Sequence, residues 1–464
     1  MTKRTMYRRT ELLTGWGRTA PSSATVALPA PGEDPATLLT EVTGDPALRT
    51  RGLVARGLGR SYGDAAQNGG GLVLTLPPGG LRLDPVAGTL TADAGTSIDE
   101  ILRVIVPQGW FVPVTAGTRY VTVGGAIAAD IHGKNHHCDG TFGAHVRAMD
   151  VLTADGHVHT VTPDAADEAD RDLFAATVGG MGLTGVILNA TFGLMPIETS
   201  KILVDTRRTI DLDDAMARMS AAHDTATYSV AWLDSVAKGA RFGRGVLTTG
   251  EHAPLTALPV AARRDPTAYD PSMLASAPPF VPGGLLTPLT VRAFNEAWYR
   301  KAPKSRDAEV QSIAAFFHPL DGVGDWNRIY GPKGFLQYQF AVPDSGADVV
   351  RLALSELQRI GAPSFLSVLK RFGPENGFPL SFPMAGWTLA LDLPAGIDGL
   401  GDTLDDLDEA VLAAGGRFYL AKDSRTTGDV IAAGYPQLDK FRAVKAAHDP
   451  NNLFRSDLSR RLGL

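Results

Sequence analysis

The rhythm of apolar and polar positions divides the chain into two halves and a tail. In the first half, a short helix at 36–43 precedes apolar runs that predict strands at Leu53–Arg56, Leu72–Leu76 and Thr89–Ala94. Ser97 and Glu100 form a capping box, and Ile98, Ile101, Leu102 and Ile105 then fall on one helical face. Arg147–Thr153 and His157–Thr162 flank Asp155-Gly156, a hairpin signal. A helix at Asp172–Thr177 and a strand at Val186–Leu194 follow, and this half closes near Met195-Pro196.

The second half starts with a strand, an acidic-capped helix (Asp211–Ala222) and a strand at Tyr228–Asp234. Residues 253–290 are rich in proline and lack periodicity, as lids and disordered loops do. Strand Phe335–Val342, helix Ser345–Ile360, strands Phe365–Arg371 and Trp387–Leu393, and helix Leu400–Ala414 then predict a sheet covered by helices on one face. In the tail, Phe418–Ala421 reads as a strand, Asp423–Thr427 as a polar turn and Lys440–His448 as a helix. The class is α+β, with units at 1–199, 200–415 and 416–464.

Length agrees with that division, since 464 residues exceed what one core normally supports. An apolar share of 44% with 20% charged residues is that of a soluble globule. The net charge of −6 argues against general nucleic-acid binding, which needs a basic face. One cysteine, Cys138, excludes an internal disulfide and a cysteine-cluster metal site. Arg8-Arg9 faintly resembles a twin-arginine signal, but Glu11, Thr14 and Arg18 interrupt any apolar segment behind it. No run of 18 apolar residues exists, so the sequence alone reads as cytoplasmic.

Three glycine-rich stretches supply candidate chemistry: Ala55–Gly71, Ala116–His137 and Val178–Ile187. Dense glycine lets backbone amides approach a ligand, and a phosphate is the usual occupant. Three such loops point to one extended ligand, a dinucleotide. Gly180–Gly185 matches GxGxxG literally, yet a helix precedes it and a strand follows, the reverse of a Rossmann turn. A P-loop motif is absent from the sequence.

RGLGRSYGD, PVTAGTRYVTVGGAIAADIHGKNHH and GGMGLTGVI resemble the FAD-binding domain of the vanillyl-alcohol-oxidase superfamily (the PCMH type). LTGWGRTAPS, WNRIYGPKGFLQYQF, PLSFPMAGW and AKDSRTT extend the likeness to its narrower family of decaprenylphosphoryl-β-D-ribose oxidases. The resemblance implies a two-domain flavoprotein whose tail returns to the FAD-binding domain. It places FAD against Arg56, Gly57, Leu58, Gly59, Arg60, Ser61, Tyr62, Gly63 and Asp64. The second loop would add Gly117, Thr118, Thr122, Val123, Gly124, Gly125, His132 and Gly133, with Ile187 and Tyr419 from elsewhere. Many relatives link flavin to a histidine in a GHS sequence; here Gly59-Arg60-Ser61 stands there, so the FAD is expected to be non-covalent.

The implied substrate is a polyprenyl-phosphate-linked ribose, oxidised at its 2′-hydroxyl. A short-chain-dehydrogenase-type partner would complete epimerisation to arabinose for cell-wall arabinan, with peripheral membrane contact at the envelope. Such an oxidation needs a hydride acceptor and a base. Lys422 is the leading base, with Tyr62 and His132 as further catalytic candidates; a lysine merely paired with Asp423 is the plain alternative. Gln337 and Gln339 share a strand face and, with Lys370, make a sugar–phosphate clamp or else a solvent-facing stripe. Lys134 suits a phosphate as a point charge. The resemblance adds Trp232, Phe317, His318, Trp387 and Ala390 to the substrate site. His136-His137 without a third spaced ligand is weak ground for a metal, and none is expected. An oxidase of soluble sugars, alditols or aldonolactones, and a flavin-binding protein without turnover, remain the competing readings.

Overall fold

A computed structural model describes residues 7–29 and 36–464. Of the basic N-terminal residues, Lys3 and Arg4 lie outside the described residues, while Arg8 and Arg9 belong to the exposed strand Tyr7–Leu13. That strand pairs antiparallel with Ser22–Leu28, which runs parallel to Leu72–Leu74, and Leu53–Ala55 completes this four-stranded sheet. A second, antiparallel sheet orders its strands Leu81–Asp84, Thr89–Asp93, Val186–Gly193, Val146–Leu152 and Val158–Val161. The hairpin turns at Gly156, whose φ of 86° explains the glycine. Helix Ile98–Ile105 carries both capping-box bonds and buries the four residues of its apolar face.

The second half is one antiparallel sheet of eight strands: Ser305–Ser312, Lys201–Thr209, Gly245–His252, Tyr228–Leu233, Ser367–Phe372, Gly386–Pro394, Phe335–Val342 and Arg417–Phe418. Helices Leu212–Ala222, Asp348–Arg359 and Leu400–Ala413 cover one face, sharing a core with Leu369, Leu389, Leu391 and Leu393. Strand side chains alternate between faces, so the other face carries Trp232, Lys370, Gln337 and Gln339. Register places Gln337 opposite Asp392, Gln339 opposite Ala390 and Lys370 opposite Thr388.

Two elements differ from expectation. The proline-rich stretch holds 3₁₀ turns and a short strand, Ala275–Ser276, that pairs with Val323–Gly324. It ends where Pro288 opens helix Pro288–Lys301, capped by Thr287. The Phe418–Ala421 strand shrinks to Arg417–Phe418, still an edge strand of the large sheet, so the crossing to the first half begins at Tyr419. Helices Gly428–Gly434, Leu438–His448 and Asp457–Leu462 then share a core with Ala65, Ala176 and Leu183 of the first half. Leu53 bridges to Phe454, and Lys440 meets Asp172 at 2.8 Å. Among the described residues no helix is long and apolar enough to cross a membrane.

Candidate active site

Strand Leu53–Ala55 hands the chain directly into the first glycine loop. Arg56 spans its mouth, donating to the carbonyls of Thr14 (2.8 Å) and Ala66 (2.9 Å). The amides of Gly57 through Ser61 donate to no acceptor among the described residues. Gly59 has a φ of 65°, and a Cβ on Gly63 would stand 2.0 Å from the Asp423 carbonyl oxygen. On the second loop, the amides of Ala116, Gly117 and Thr118 are likewise unpaired among the described residues. Thr122 caps helix Val123–Ala128, accepting from the Gly125 amide at 3.1 Å, and Gly124 lies against Ala94. Arg60 joins the two loops: its Nε donates to the Tyr120 carbonyl (3.1 Å) and its guanidinium stacks on Trp16. Two rows of free amides on loops joined by Arg60 fit a pyrophosphate-bearing cofactor.

The third glycine stretch plays a different part. Its Gly179 and Met181 amides donate to Ile127 and Ala128, and a Cβ on Gly180 would stand 2.1 Å from the Ala176 carbonyl oxygen. These glycines therefore pack one backbone on another, and Ile187 is buried in the first-half core.

The first glycine loop meets the large sheet where Tyr62 packs on Phe335. Lys422 rests its Nζ 3.8 Å from the centre of the Tyr62 ring, and the Tyr62 amide donates to the Ala421 carbonyl at 2.8 Å. Burial pushes the Lys422 ammonium below the usual lysine range, helped by Lys370, while Asp392 opposes the shift. Burial also brings Lys370 down to about 8. His132 sits among Phe372, Phe382 and Tyr419, with Nε2 3.3 Å from Gln339 Nε2 and Nδ1 without a partner among the described residues. Burial holds its ring neutral, well below the ordinary histidine range. Tyr419 donates to the Ala129 carbonyl at 2.8 Å, so its hydroxyl orients the turn before Lys422. Lys422 does not pair with Asp423, whose carboxylate is held by Arg461 at 2.7 Å.

A signature described as an FAD binding domain matches residues 47–162. The chain is 45% identical over 458 residues to the decaprenylphosphoryl-β-D-ribose oxidase of Mycolicibacterium smegmatis, covering 98% of each. The chain belongs to the decaprenylphosphoryl-β-D-ribose oxidase family. It is an FAD-dependent oxidoreductase. An uncharacterised protein from the mprA 5′ region of Streptomyces coelicolor is 43% identical over 79% of this chain and 100% of its own. An alditol oxidase of a Streptomyces strain is 28% identical, over 31% of this chain and 34% of its own.

Within this family site several expected residues take other places. Trp387 belongs to the helix-covered face, packed in that core under Arg371. Phe317 is buried with Phe111, Tyr228 and Phe316. His318 lies behind the second glycine loop, 2.9 Å from Thr115 Oγ1. Lys134 donates to the Phe316 carbonyl; burial and Lys370 lower its ammonium to about 7. Asp64 spends its carboxylate on Arg461 (2.7 and 3.0 Å) and so braces the loop from outside. Gly133 is buried against Asn135 and Thr115. Leu58 is exposed at the loop tip, whereas Trp232 and Ala390 do share the site face of the sheet. Trp232 donates from Nε1 to the Phe365 carbonyl at 2.8 Å. His136 accepts from the Gly373 amide, and the His137 ring hydrogen-bonds the Ala226 carbonyl.

Other residues at the site were not expected. Asp392 is buried beside Gln337, which donates to its Oδ1. Thr388 lies 3.3 Å from Gln339 Nε2. Asp321 accepts from Thr118 Oγ1 (2.6 Å) and from the Arg119 amide (2.8 Å), pinning the second loop from the sheet half. Alternation from Ala390 would have found Thr388 and Asp392.

Proposed function

We propose that this oxidoreductase removes the 2′-hydrogen of decaprenylphosphoryl-β-D-ribose, giving the 2′-keto sugar. What carries the proposal is identity at 45% across 98% of both chains, which includes the whole sheet half. The likeness to alditol oxidase spans only about a third of the chain.

FAD, when bound, supplies the hydride acceptor. The amides of Gly57–Ser61 and Ala116–Thr118 would hold its pyrophosphate, and Arg60 replaces any linking histidine, so retention is non-covalent. Lys422 takes the hydroxyl proton at Nζ; a buried amine among other cations is partly neutral and able to accept it. Lys370 provides positive charge for the phosphate, and Gln337 and Gln339 orient the sugar. His132 stays uncharged and packs the site.

The product is a ketone that a short-chain-dehydrogenase-type partner would reduce to the arabinose form. The prenyl chain would leave along Leu286, Tyr330 and Trp326, which pack together beside Tyr62, and a peripheral membrane position follows from so lipophilic a substrate.

Anaerobic mixing with lipid-linked phosphoribose should bleach the oxidised-flavin band. Acid denaturation should leave intact FAD in the supernatant. Bleaching by free alditols but not by the lipid would transfer the activity to soluble sugars, and flavin that precipitates with the polypeptide would refute the non-covalent assignment.

A further inference from the structure

Helix Pro288–Lys301 is turned inside out. Its inner face is polar: Asn295 is fully buried and donates to Asp234 Oδ1 at 2.9 Å, Glu296 takes Arg244, and the Tyr299 hydroxyl donates to the Thr209 carbonyl at 3.2 Å. Val291 is the one apolar side chain that it buries. The outer face is apolar. Leu289 is 75% exposed, and Phe294 and Trp298, one turn apart, stack on each other with 46% and 44% of their surface open. A surface helix ordinarily shows the opposite pattern, apolar inward and polar outward. Asp234 and Arg244 are themselves buried, so rolling the helix over to hide its rings would strand two charges. Leu274, Phe280 and Leu285, just ahead of the helix, are exposed as well.

Charge selects what covers this face. From Pro271 to Lys304 the chain carries four basic residues, Arg292, Arg300, Lys301 and Lys304, against one acid, Glu296, in a protein of net charge −6. Arg244 and Arg300 already hold Glu296. Arg292, Lys301 and Lys304 are exposed and have no carboxylate partner among the described residues; the Lys301 ammonium lies 5.7 Å from the Trp298 ring centre. A second copy docked here about a two-fold axis would set these cations against their own images. An anionic bilayer offers hydrocarbon to Leu289 and the rings, and phosphates to the cations, with tryptophan at the headgroup level. Rings also lead inward from the face. Trp298, Phe294, Phe365, Tyr330, Phe335 and Tyr62 meet in succession, with centroids 4.0 to 6.1 Å apart, and Tyr62 carries Lys422.

We propose that helix Pro288–Lys301, with the exposed apolar residues ahead of it, is the surface that docks on an anionic phospholipid bilayer, and that the prenyl chain reaches from bilayer to Lys422 along this line of rings. The path of the prenyl chain rests on the reading of the substrate as polyprenyl-linked; the docking does not.

The holoenzyme should float with vesicles of phosphatidylcholine and phosphatidylglycerol, far less with phosphatidylcholine alone, and salt should release it. Leu289→Glu combined with Trp298→Glu should abolish flotation while flavin content and the thermal midpoint stay at wild type. Each Lys or Arg at an anionic surface strengthens binding about fivefold, so Arg292→Gln with Lys301→Gln should weaken partitioning about 25-fold. One readout needs no disruptive change: lipids brominated in their acyl chains should quench the emission that is missing from Trp298→Phe. Flotation of the double glutamate variant at the wild-type level, or Trp298 emission untouched on vesicles that carry the protein, overturns the docking face. So does a wild-type protein that binds neither vesicle, and a dimer in solution that Leu289→Glu dissociates would then give the face to a second copy. These vesicles hold no substrate, so their result is separate from the bleaching of flavin by lipid-linked phosphoribose. If that bleaching fails while flotation succeeds, the prenyl path falls and the membrane contact stands.

Discussion

Lys422 draws its chemistry from groups supplied by three separate parts of the chain. Tyr62 comes from the first glycine loop, Asp392 and Lys370 from adjacent sheet strands, and the lysine itself from the C-terminal turn. Lys422→Ala should therefore keep fold and flavin but lose on the order of 10²–10⁴-fold in the anaerobic rate of flavin reduction at saturating substrate. A variant within about threefold of wild type, well below that range, would remove Lys422 from the mechanism. The local sequence favours pairing of Lys422 with Asp423, and only the fold decides otherwise. Arg461, far along the chain, takes Asp423 and Asp64 together. Side-chain pairing of this long-range kind leaves no trace in a window of neighbouring residues.

Among the elements, strand parity governs what was legible. Gln337 and Gln339 lie two apart and do share the site face. Trp387 and Ala390 lie three apart on one strand, so they cannot both face the substrate; alternation alone would have rejected one of them. The helix Pro288–Lys301 escaped notice because it buries only Val291 and Asn295, leaving no apolar stripe to read. The proline-rich segment before it carries Leu274 and Phe280, 84% and 74% exposed, whereas Leu286 packs against the Tyr62–Tyr330–Phe335 cluster. Such a segment, apolar outside and anchored at the site, fits a cover for the prenyl chain. Limited proteolysis should cut first within 253–290, and lipid substrate should slow that cut. Resistance to protease, or cutting indifferent to lipid, would leave the segment without this role.

At the scale of the whole molecule, the active site exists only because the C-terminal segment returns to the first half. The glycine loops (three, of which two present free amides), their alternation of strands and the helix-covered sheet were readable from the sequence; the return of the tail was known only by resemblance, and of its three helices only the one ending at His448 was expected. Arg461 is the clasp of that return. Its guanidinium donates twice to Asp64 on the flavin loop, and also to Asp423 and the Thr426 carbonyl beside Lys422. Removing it leaves two carboxylates facing each other in a partly buried space. Hydrogen bonds between charged groups contribute about 1.5–3 kcal/mol each at this level of burial, so Arg461→Ala should cost on the order of 3 kcal/mol or more. The flavin loop and the Lys422 turn lose their common anchor, so FAD should dissociate at a lower temperature than the protein unfolds. Arg461→Lys should recover little, because an ammonium cannot match a bidentate fork. Thermal unfolding followed by flavin fluorescence beside far-ultraviolet circular dichroism separates the two events. Coincident transitions at the wild-type midpoint would show that the return of the chain is held by its apolar core alone.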